Sequence, residues 1–323
     1  MTLSLPKAEL HVHLEAAASP ELVRANARRY GVDVSRLFDA EGRYLWTDFS
    51  TFLGAYDHAA SVFRTPEDFA ELTERYLVAS AEAGCIYTEF FVSPDFAERS
   101  GLGYVSYIDG IAEGIARAEA EVGIVGRLIP LIERHYGPER AVVAAETATR
   151  YLRPEIVGFG MAGEERLHEP AEFAPAFAIA TEAGLPLTCH AGEWRSWEGV
   201  RDTLDALPVR RIGHGVRSIE SDDLVARLVD EGIHLEVCPV SNVTLGVYDS
   251  FAAHPLTALL EAGVRLSLSS DDPPFFWTSI GREYEVAAAE FGLGPEALRA
   301  ITRTAIEDAF CDSATKARLL GRL

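Results

Sequence analysis

Short runs of apolar, β-branched residues recur along the chain, and segments rich in Ala, Glu and Arg with helical spacing separate them. A short apolar run bounded by turn residues is typical of a buried strand, whereas apolar residues every three or four positions are typical of a helix. The pattern predicts eight strands, at residues 8–14, 85–92, 124–132, 155–161, 185–190, 210–215, 233–238 and 264–269. Helices are predicted between them, for instance at residues 107–121, 170–183 and 221–231.

Regular alternation of eight strands with helices favours a (β/α)8 TIM barrel within the α/β class. Four glycines stand where a helix C-cap belongs, just after a predicted helix and before a strand: Gly84, Gly184, Gly232 and Gly263. The first connection, residues 15–83, is long enough to carry extra helices, and residues 48–63 form the clearest of them. Because no repeat or linker interrupts the chain, we expect one domain over residues 1–323 rather than two.

Composition and charge argue against a nucleic-acid-binding, membrane-spanning or disulfide-rich protein. The chain is 48% hydrophobic with a formal net charge of -21, and a nucleic-acid partner would require a basic surface. We see no secretion signal and no apolar run of the roughly 18 residues needed to span a membrane, so we expect a cytoplasmic protein. The four cysteines are far apart and suggest neither a disulfide framework nor a thiolate zinc site. Cys189 is expected to be a packed strand residue rather than a nucleophile.

Candidate metal ligands begin with His11 and His13 on the first predicted strand. Residues i and i+2 of a strand share a face, so the two imidazoles converge. In a TIM barrel the active site lies at the C-terminal ends of the strands, and there strand 5 carries His190, strand 6 His214 and strand 8 Asp271. Three nitrogens and one carboxylate oxygen are ligands suited to a zinc or iron(II) ion. We predict that one such ion binds to His11, His13, His190 and Asp271.

Other histidines and the lysines set limits on this site. Surface or structural roles are expected for the histidines that follow no strand-end rule: His58, His135, His168, His234 and His254. The two lysines, Lys7 and Lys316, are expected to lie outside the barrel interior. A binuclear site bridged by a modified lysine is therefore excluded, and we expect one metal ion per chain with an open position for water.

Five segments between Pro6 and Pro273 carry a family resemblance: PKAELHVHLE, CHAGE, RIGHGV, EVCPVSN and SSDDP. Together they resemble the adenosine/adenine deaminase family of the amidohydrolase superfamily. The resemblance implies a zinc-dependent hydrolase in which a metal-bound hydroxide attacks C6 of a 6-aminopurine and ammonia leaves. Cytidine-type zinc deaminases instead use H-x-E followed by P-C-x-x-C. The stretch from His234 to Glu236 matches the first half alone, so we treat that match as coincidence.

The resemblance also implies a role for each site residue. Asp271 would bind the metal and aim the hydroxide, while His214 would assist deprotonation and stabilise the developing oxyanion. Glu193 would protonate N1 of the purine, which requires a pKa raised by burial. Asp272 would meet N7, and the backbone N–H of Gly163 would meet N3.

Local structure offers a plainer alternative for several of these residues. Glu193 is alternatively a surface-loop carboxylate, Asp272 a cap for the next turn, and Gly163 a turn glycine. An aromatic set at near-helical spacing is either a lid over the purine or a buried helix face: Phe49, Phe52, Tyr56 and Phe63.

The substrate prediction depends on the residues that follow the first strand. Glu15 would contact the ribose hydroxyl, beside His13, which would also touch the substrate. The resemblance departs here, since Asp is more usual than Glu15 in adenosine-acting members and Gly is more usual than Ala16. We predict adenosine or 2'-deoxyadenosine, with adenine or a modified nucleoside such as aminodeoxyfutalosine as the alternative. The intact acid–base and ligand set argues against an inactive purine-binding or growth-factor-like barrel.

Overall fold

A ring of eight parallel strands forms the centre of the computed structural model, which describes residues 5–323. The first four residues of the predicted domain lie outside the described residues. The strands are β1 (Lys7–His13), β2 (Cys85–Val92), β3 (Val125–Glu133), β4 (Gly160–Ala162), β5 (Thr188–Ala191), β6 (Arg211–His214), β7 (His234–Val237) and β8 (Arg265–Leu268). Consecutive strands pair in two four-stranded sheets, β1 to β4 and β5 to β8.

Two seams join these sheets into a closed ring. At the first seam, Phe159 pairs in parallel with Leu187, between β4 and β5. At the second, Asp271 N–H donates to the His11 carbonyl at 3.1 Å, and His13 N–H donates to the Asp271 carbonyl at 3.0 Å. The predicted (β/α)8 barrel is therefore confirmed.

Helices surround the ring. They are α1 (Pro20–Tyr30), α2 (Phe49–Ala60), α3 (Pro66–Glu82), α4 (Pro94–Arg99), α5 (Tyr104–Val122), α6 (Pro138–Arg150), α7 (Ala174–Glu182), α8 (Trp197–Ala206), α9 (Asp222–Glu231), α10 (Pro239–Thr244), α11 (Leu256–Glu261), α12 (Ile280–Glu290), α13 (Pro295–Asp308) and α14 (Ser313–Leu320). The long first connection carries α1, α2 and α3, as expected. Asp48 caps α2 by accepting a hydrogen bond from Thr51 N–H at 2.9 Å.

The predicted strand at residues 155–161 is the least accurate prediction of the fold. The ladder of β4 spans three residues, and the segment before it makes isolated bridges at Ile156 and Phe159. Gly158 explains part of the irregularity, because a Cβ there would lie 2.4 Å from the ring of Phe310. The bare backbone lets that aromatic ring approach closely, which is a common reason for glycine in a strand.

Apolar side chains fill the space between the ring and the helices, among them Val12, Leu128 and Phe177. Lys7 corrects an expectation, because it is buried at the start of β1 rather than outside the barrel. Its Nζ donates to the carbonyl oxygens of Leu5 and Ala83, away from the C-terminal end of the strand. Within residues 5–323, no helix combines the length and the apolar character that crossing a membrane demands.

Candidate active site

The C-terminal ends of β1, β5 and β6, and the residues just after β8, bring the predicted ligands around one point. Donor atoms of His11, His190, His214 and Asp271 all lie within 4.8 Å of one another, and all four residues are buried. His13 lies beside this group rather than within it: its Nε2 is 3.4 Å from Asp271 Oδ1, and its donor atom clusters with those of Asp271 and Asp272. The structure therefore brings together the residues that the sequence assigned to four separate strands.

Two imidazoles are oriented by acceptors on their outer side. His11 Nδ1 lies 3.0 Å from Glu236 Oε2, and His190 Nδ1 lies 3.0 Å from the carbonyl oxygen of Met161. Because these acceptors take the Nδ1 proton, the Nε2 lone pair of each ring is directed toward the centre. Both Nε2 atoms are buried and lack a hydrogen-bond partner among the described residues. Two free nitrogen lone pairs beside the carboxylate of Asp271 are suitable ligands for a divalent metal ion.

Charge at this centre favours a cation. Burial lowers the pKa of His13 to about 4 and lowers the pKa of His190 well below its ordinary value, so both rings are neutral at pH 7. His11 differs, because the carboxylates of Asp271 and Glu236 outweigh its burial and raise its pKa to about 9. The centre thus attracts a proton to His11, and a metal ion would have to replace that proton.

Glu236 has a role that the sequence analysis missed. Its second oxygen lies 2.7 Å from Arg211 Nε and accepts a hydrogen bond from Thr188 Oγ1 at 2.9 Å. Burial favours a protonated Glu236, but Arg211 and His11 outweigh burial and lower the pKa of Glu236 to about 2. A permanent carboxylate therefore orients His11. The available signal was the lone carboxylate of the strand IHLEVC, in which the other residues besides His234 are apolar.

Asp271 and His214 both adopt left-handed backbone conformations, with φ of +64° and +60°. Such angles are uncommon outside glycine and concentrate at functional sites. Ser241 Oγ donates to Asp271 Oδ2 at 2.6 Å and so fixes the carboxylate. His214 Nε2 lies 3.8 Å from Glu193 Oε2, which brings the predicted acid beside the predicted oxyanion donor.

A chain of hydrogen bonds behind His214 determines which ring nitrogen carries its proton. Leu256 N–H donates to His254 Nδ1 at 3.2 Å, so His254 donates through Nε2 to Asn242 Oδ1 at 3.1 Å. The Asn242 amide nitrogen then donates to His214 Nδ1 at 3.2 Å. His214 therefore directs its Nε2–H into the site. Burial lowers the pKa of His214 to about 3, which keeps the ring neutral.

Glu193 lies in a loop that wraps around the carboxylate of Glu165. Glu165 accepts hydrogen bonds of 2.6 to 3.1 Å from four successive backbone N–H groups, those of Gly192, Glu193, Trp194 and Arg195. Glu193 is 8% exposed, so the surface-loop alternative is wrong. Burial, followed by repulsion from Asp271 and Glu165, raises the pKa of Glu193 well above its ordinary value. That direction is the one that a general acid requires.

A cavity of about 360 Å³ opens beside the ligands, with Glu193, Asp272 and Gly163 in its wall. Asp272 caps the following turn through its carbonyl, which accepts hydrogen bonds from Phe275 N–H and Phe276 N–H. Its buried Oδ1 has no partner in the described part of the chain. Burial, followed by repulsion from Asp271, raises the pKa of Asp272 well above its ordinary value.

The four aromatic residues predicted to form either a lid or a buried helix face do not share one role. Phe49, Phe52 and Tyr56 line the cavity, as a lid would. Phe63 does not line it; it is 1% exposed and packs against Phe69 with ring centroids 5.8 Å apart. Phe63 lies beyond the end of α2 and is a core residue, whereas Phe52 is both buried and part of the cavity wall.

Glu15 reaches the cavity, but protein donors already occupy its carboxylate. Oε1 accepts hydrogen bonds from Ser93 N–H at 3.0 Å and from the hydroxyl of Tyr107. Oε2 accepts from the hydroxyl of Tyr56 at 3.2 Å. With 2% of its surface exposed, Glu15 has both oxygens engaged inside the protein.

Two further predictions have different outcomes. Cys189 is fully buried and burial raises the pKa of its thiol to about 11, so the packed role is confirmed. His135 was expected in a surface or structural role, yet it lines the cavity together with Glu133 and Tyr136. No strand-end pattern marks His135, because it lies in a 3-10 turn beyond the end of β3.

Parallel (β/α)8 architecture, clustered histidines with an aspartate at the strand ends, and a buried acid beside a cavity define a metal-dependent hydrolase of the amidohydrolase type. A profile of the adenosine deaminase family matches residues 6–323, and the chain belongs to this family. The resemblance stated from the motifs is therefore confirmed.

Individual relatives and solved structures agree with this family assignment. The adenine deaminase of Chelativorans sp. (strain BNC1) is 56% identical over 319 residues, which cover 99% of this chain and 98% of the relative. The crystal structure of adenine deaminase from Arthrobacter aurescens matches with a TM-score of 0.89 and 31% identity, covering 98% of this chain and 97% of that one. An amidohydrolase from Burkholderia ambifaria with bound Zn matches with a TM-score of 0.87 and 27% identity, covering 98% and 88%. The chain is a hydrolytic deaminase that acts on a C–N bond.

Proposed function

We propose that this deaminase converts free adenine and water to hypoxanthine and ammonia. The observation that carries the proposal is the Glu15 carboxylate, whose two oxygens already accept hydrogen bonds from Ser93, Tyr56 and Tyr107. Three of its roughly four acceptor sites are therefore occupied, and a ribose hydroxyl would have to share Oε2 with the hydroxyl of Tyr56. The relatives named adenine deaminase support the same choice. Adenine, the alternative in the sequence analysis, therefore replaces adenosine as the favoured substrate.

We propose one zinc ion per chain, with iron(II) as the alternative, held by His11, His13, His190 and Asp271. The donor atom of His214 lies within the cluster of His11, His190 and Asp271, which does not include His13. Because Asn242 donates to His214 Nδ1, the proton of His214 is on Nε2, and we assign His214 as a hydrogen-bond donor rather than a ligand. When bound, the metal makes hydroxide available at neutral pH by lowering the pKa of a water molecule to about 7.

The protein side chains supply the remaining chemistry. Glu193 is held protonated and donates its proton to N1, which makes C6 electrophilic. His214 Nε2–H stabilises the negative charge that develops on the oxygen added at C6. The side chain of Asp272 contacts N7 and the N–H of Gly163 contacts N3, so C6 faces the metal. The proton on the oxygen added at C6 then passes to the amino group by way of the Asp271 carboxylate. The C6–N bond breaks as the C6 carbonyl forms, and the amino group leaves as ammonia.

Competing substrates test the proposal on zinc-loaded enzyme. We expect kcat/KM for adenine in the range of about 10⁴–10⁸ M⁻¹s⁻¹. Adenosine, 2'-deoxyadenosine and aminodeoxyfutalosine should be turned over at least roughly 100-fold less efficiently. Glu193→Gln is the control, since it should keep the metal and lose turnover. A higher kcat/KM for any nucleoside than for adenine would overturn the substrate assignment.

A further inference from the structure

One polar group of the cavity wall has no part in the chemistry described above. His135 follows β3 in a 3-10 turn, and its Nε2 lies 3.2 Å from Glu133 Oε2. The other oxygen of Glu133 accepts from Ser93 Oγ at 2.5 Å. Burial alone would raise the pKa of Glu133, but the hydrogen bonds from His135 and Ser93 outweigh burial and lower it. Glu133 is therefore a carboxylate, and it accepts hydrogen bonds without donating any.

This carboxylate determines the tautomer of His135. A neutral imidazole carries one proton, and Glu133 holds that proton on Nε2. The lone pair of Nδ1 is then free to accept a hydrogen bond. His135 Nδ1 is buried and has no partner within residues 5–323. A buried acceptor without a donor is costly, which suggests that its donor arrives with the substrate.

The location of this acceptor identifies the donor. A Cβ added to Gly163 would lie 2.8 Å from His135 Nδ1, so the imidazole sits directly beside the Gly163 backbone. The proposed function assigns the Gly163 N–H to purine N3. In a purine, N9 is separated from N3 by one carbon and lies on the edge away from N1 and C6. The N9 position therefore falls next to His135 Nδ1.

Elimination among the unpaired atoms of the site supports the same assignment. The buried side-chain atoms that lack a partner there are His11 Nε2, His190 Nε2, Glu193 Oε1, Asp272 Oδ1 and His135 Nδ1. The first two face the metal, and the next two face N1 and N7 in the proposed function. His135 Nδ1 is the acceptor that remains for the opposite edge of the base.

We propose that His135, oriented by Glu133, accepts a hydrogen bond from N9–H of free adenine and makes the site selective for the unsubstituted base. The inference rests on the proposed function and deepens it. Free adenine carries a hydrogen on N9, whereas every nucleoside carries ribose carbon there. A 9-substituted purine would therefore leave the buried acceptor unpaired and press a carbon against the imidazole ring. Sites built around one hydrogen bond reject analogues that lack it far better than apolar pockets do.

The test compares adenine with 9-methyladenine on zinc-loaded enzyme. His135→Phe keeps the ring volume and removes the acceptor, so kcat/KM for adenine should fall roughly 10- to 100-fold, mainly through KM. His135→Ala also removes the bulk beside N9, so the ratio of kcat/KM for adenine to that for 9-methyladenine should fall by a similar factor. His168→Asn is the control, because His168 lies near the same turn, outside the cavity wall.

A second variant keeps the imidazole and changes its tautomer. In Glu133→Gln the amide donates to His135 Nε2, so the proton moves to Nδ1 and the acceptor becomes a donor. Adenine turnover should fall as in His135→Phe. The inference is overturned if His135→Phe behaves like His168→Asn, or if it weakens adenine and 9-methyladenine equally, as a purely structural role would. A wild-type enzyme that prefers adenosine would instead refute the proposed function.

Discussion

The proton on each imidazole of this site is assigned by a specific neighbour. Glu236 and the Met161 carbonyl direct two lone pairs inward at His11 and His190, whereas Asn242 does the opposite at His214. Three similar rings therefore present two acceptors and one donor to the same small volume. If the proposed roles hold, the difference between a metal ligand and an oxyanion donor is set by Glu236, Met161 and Asn242, none of which lines the cavity.

Asn242→Asp tests the assignment at His214. An aspartate accepts from His214 Nδ1 rather than donating to it, so Nε2 loses the proton that faces the site. We expect kcat to fall about 10²- to 10³-fold, as when one oxyanion donor is removed, with unchanged zinc content. His254→Gln is the matched control, since its amide still donates to Asn242 Oδ1 and should retain most activity. Near-native kcat in Asn242→Asp would contradict the assignment.

Among the structural elements, the loop between β5 and α8 depends on one carboxylate for its shape. Glu165 collects the N–H groups of four successive residues and comes from the segment after β4. Glu193, the proposed acid, lies within that loop, so its position is set by a neighbouring βα unit rather than by its own strand.

Glu165→Gln should disturb this loop, because its amide nitrogen would face backbone donors. We expect a loss of roughly 1–3 kcal/mol in the free energy of unfolding, measured with urea, together with a lower kcat. Glu164→Gln is the matched control, because the adjacent Glu164 pairs with Arg166 at 2.6 Å and makes no contact with the loop in the hydrogen bonds described. Equal stability and kcat of the two variants would show that Glu165 does not organise the loop.

Local patterns in the sequence were sufficient for the elements and insufficient for the contacts between them. Strands buried on both faces produce continuous apolar runs, so seven of eight strands lie within a few residues of their predicted bounds. Strand-end chemistry likewise identified His11, His190 and Asp271. The contact of Glu236 with His11 joins residues 225 positions apart and depends on ring closure. The hydrogen bonding of the Glu15 carboxylate inside the protein depends in the same way on Tyr107 of α5.

For the whole molecule, the metal would connect two halves of the barrel. The proposed ligands His11 and His13 lie on β1 in one four-stranded sheet, while His190 lies on β5 in the other and Asp271 follows β8. An ion that binds only the folded state raises the free energy of unfolding by about 2.7 kcal/mol when its concentration is 100 times its Kd.

Removal of the metal should therefore lower the melting temperature by several degrees, and zinc should restore it. Differential scanning calorimetry with and without a chelator measures the shift. His190→Ala should abolish the zinc-dependent shift, whereas His58→Ala, on α2 outside the cavity wall, should retain it. Identical melting curves for chelated and zinc-loaded wild-type protein would argue against a metal that joins the two sheets.

Asp271 takes part both in the hydrogen bonding that closes the barrel and in the candidate site. Its N–H and carbonyl pair with His11 and His13 across the closing seam, so consecutive backbone hydrogen bonds connect three candidate ligands. Their separation follows from the spacing of adjacent strands, which is a property of every β-sheet. The cavity wall, in contrast, comes largely from loops and from α2. Evolution can therefore remodel the loops to exchange one substrate for another while the reacting centre keeps its geometry.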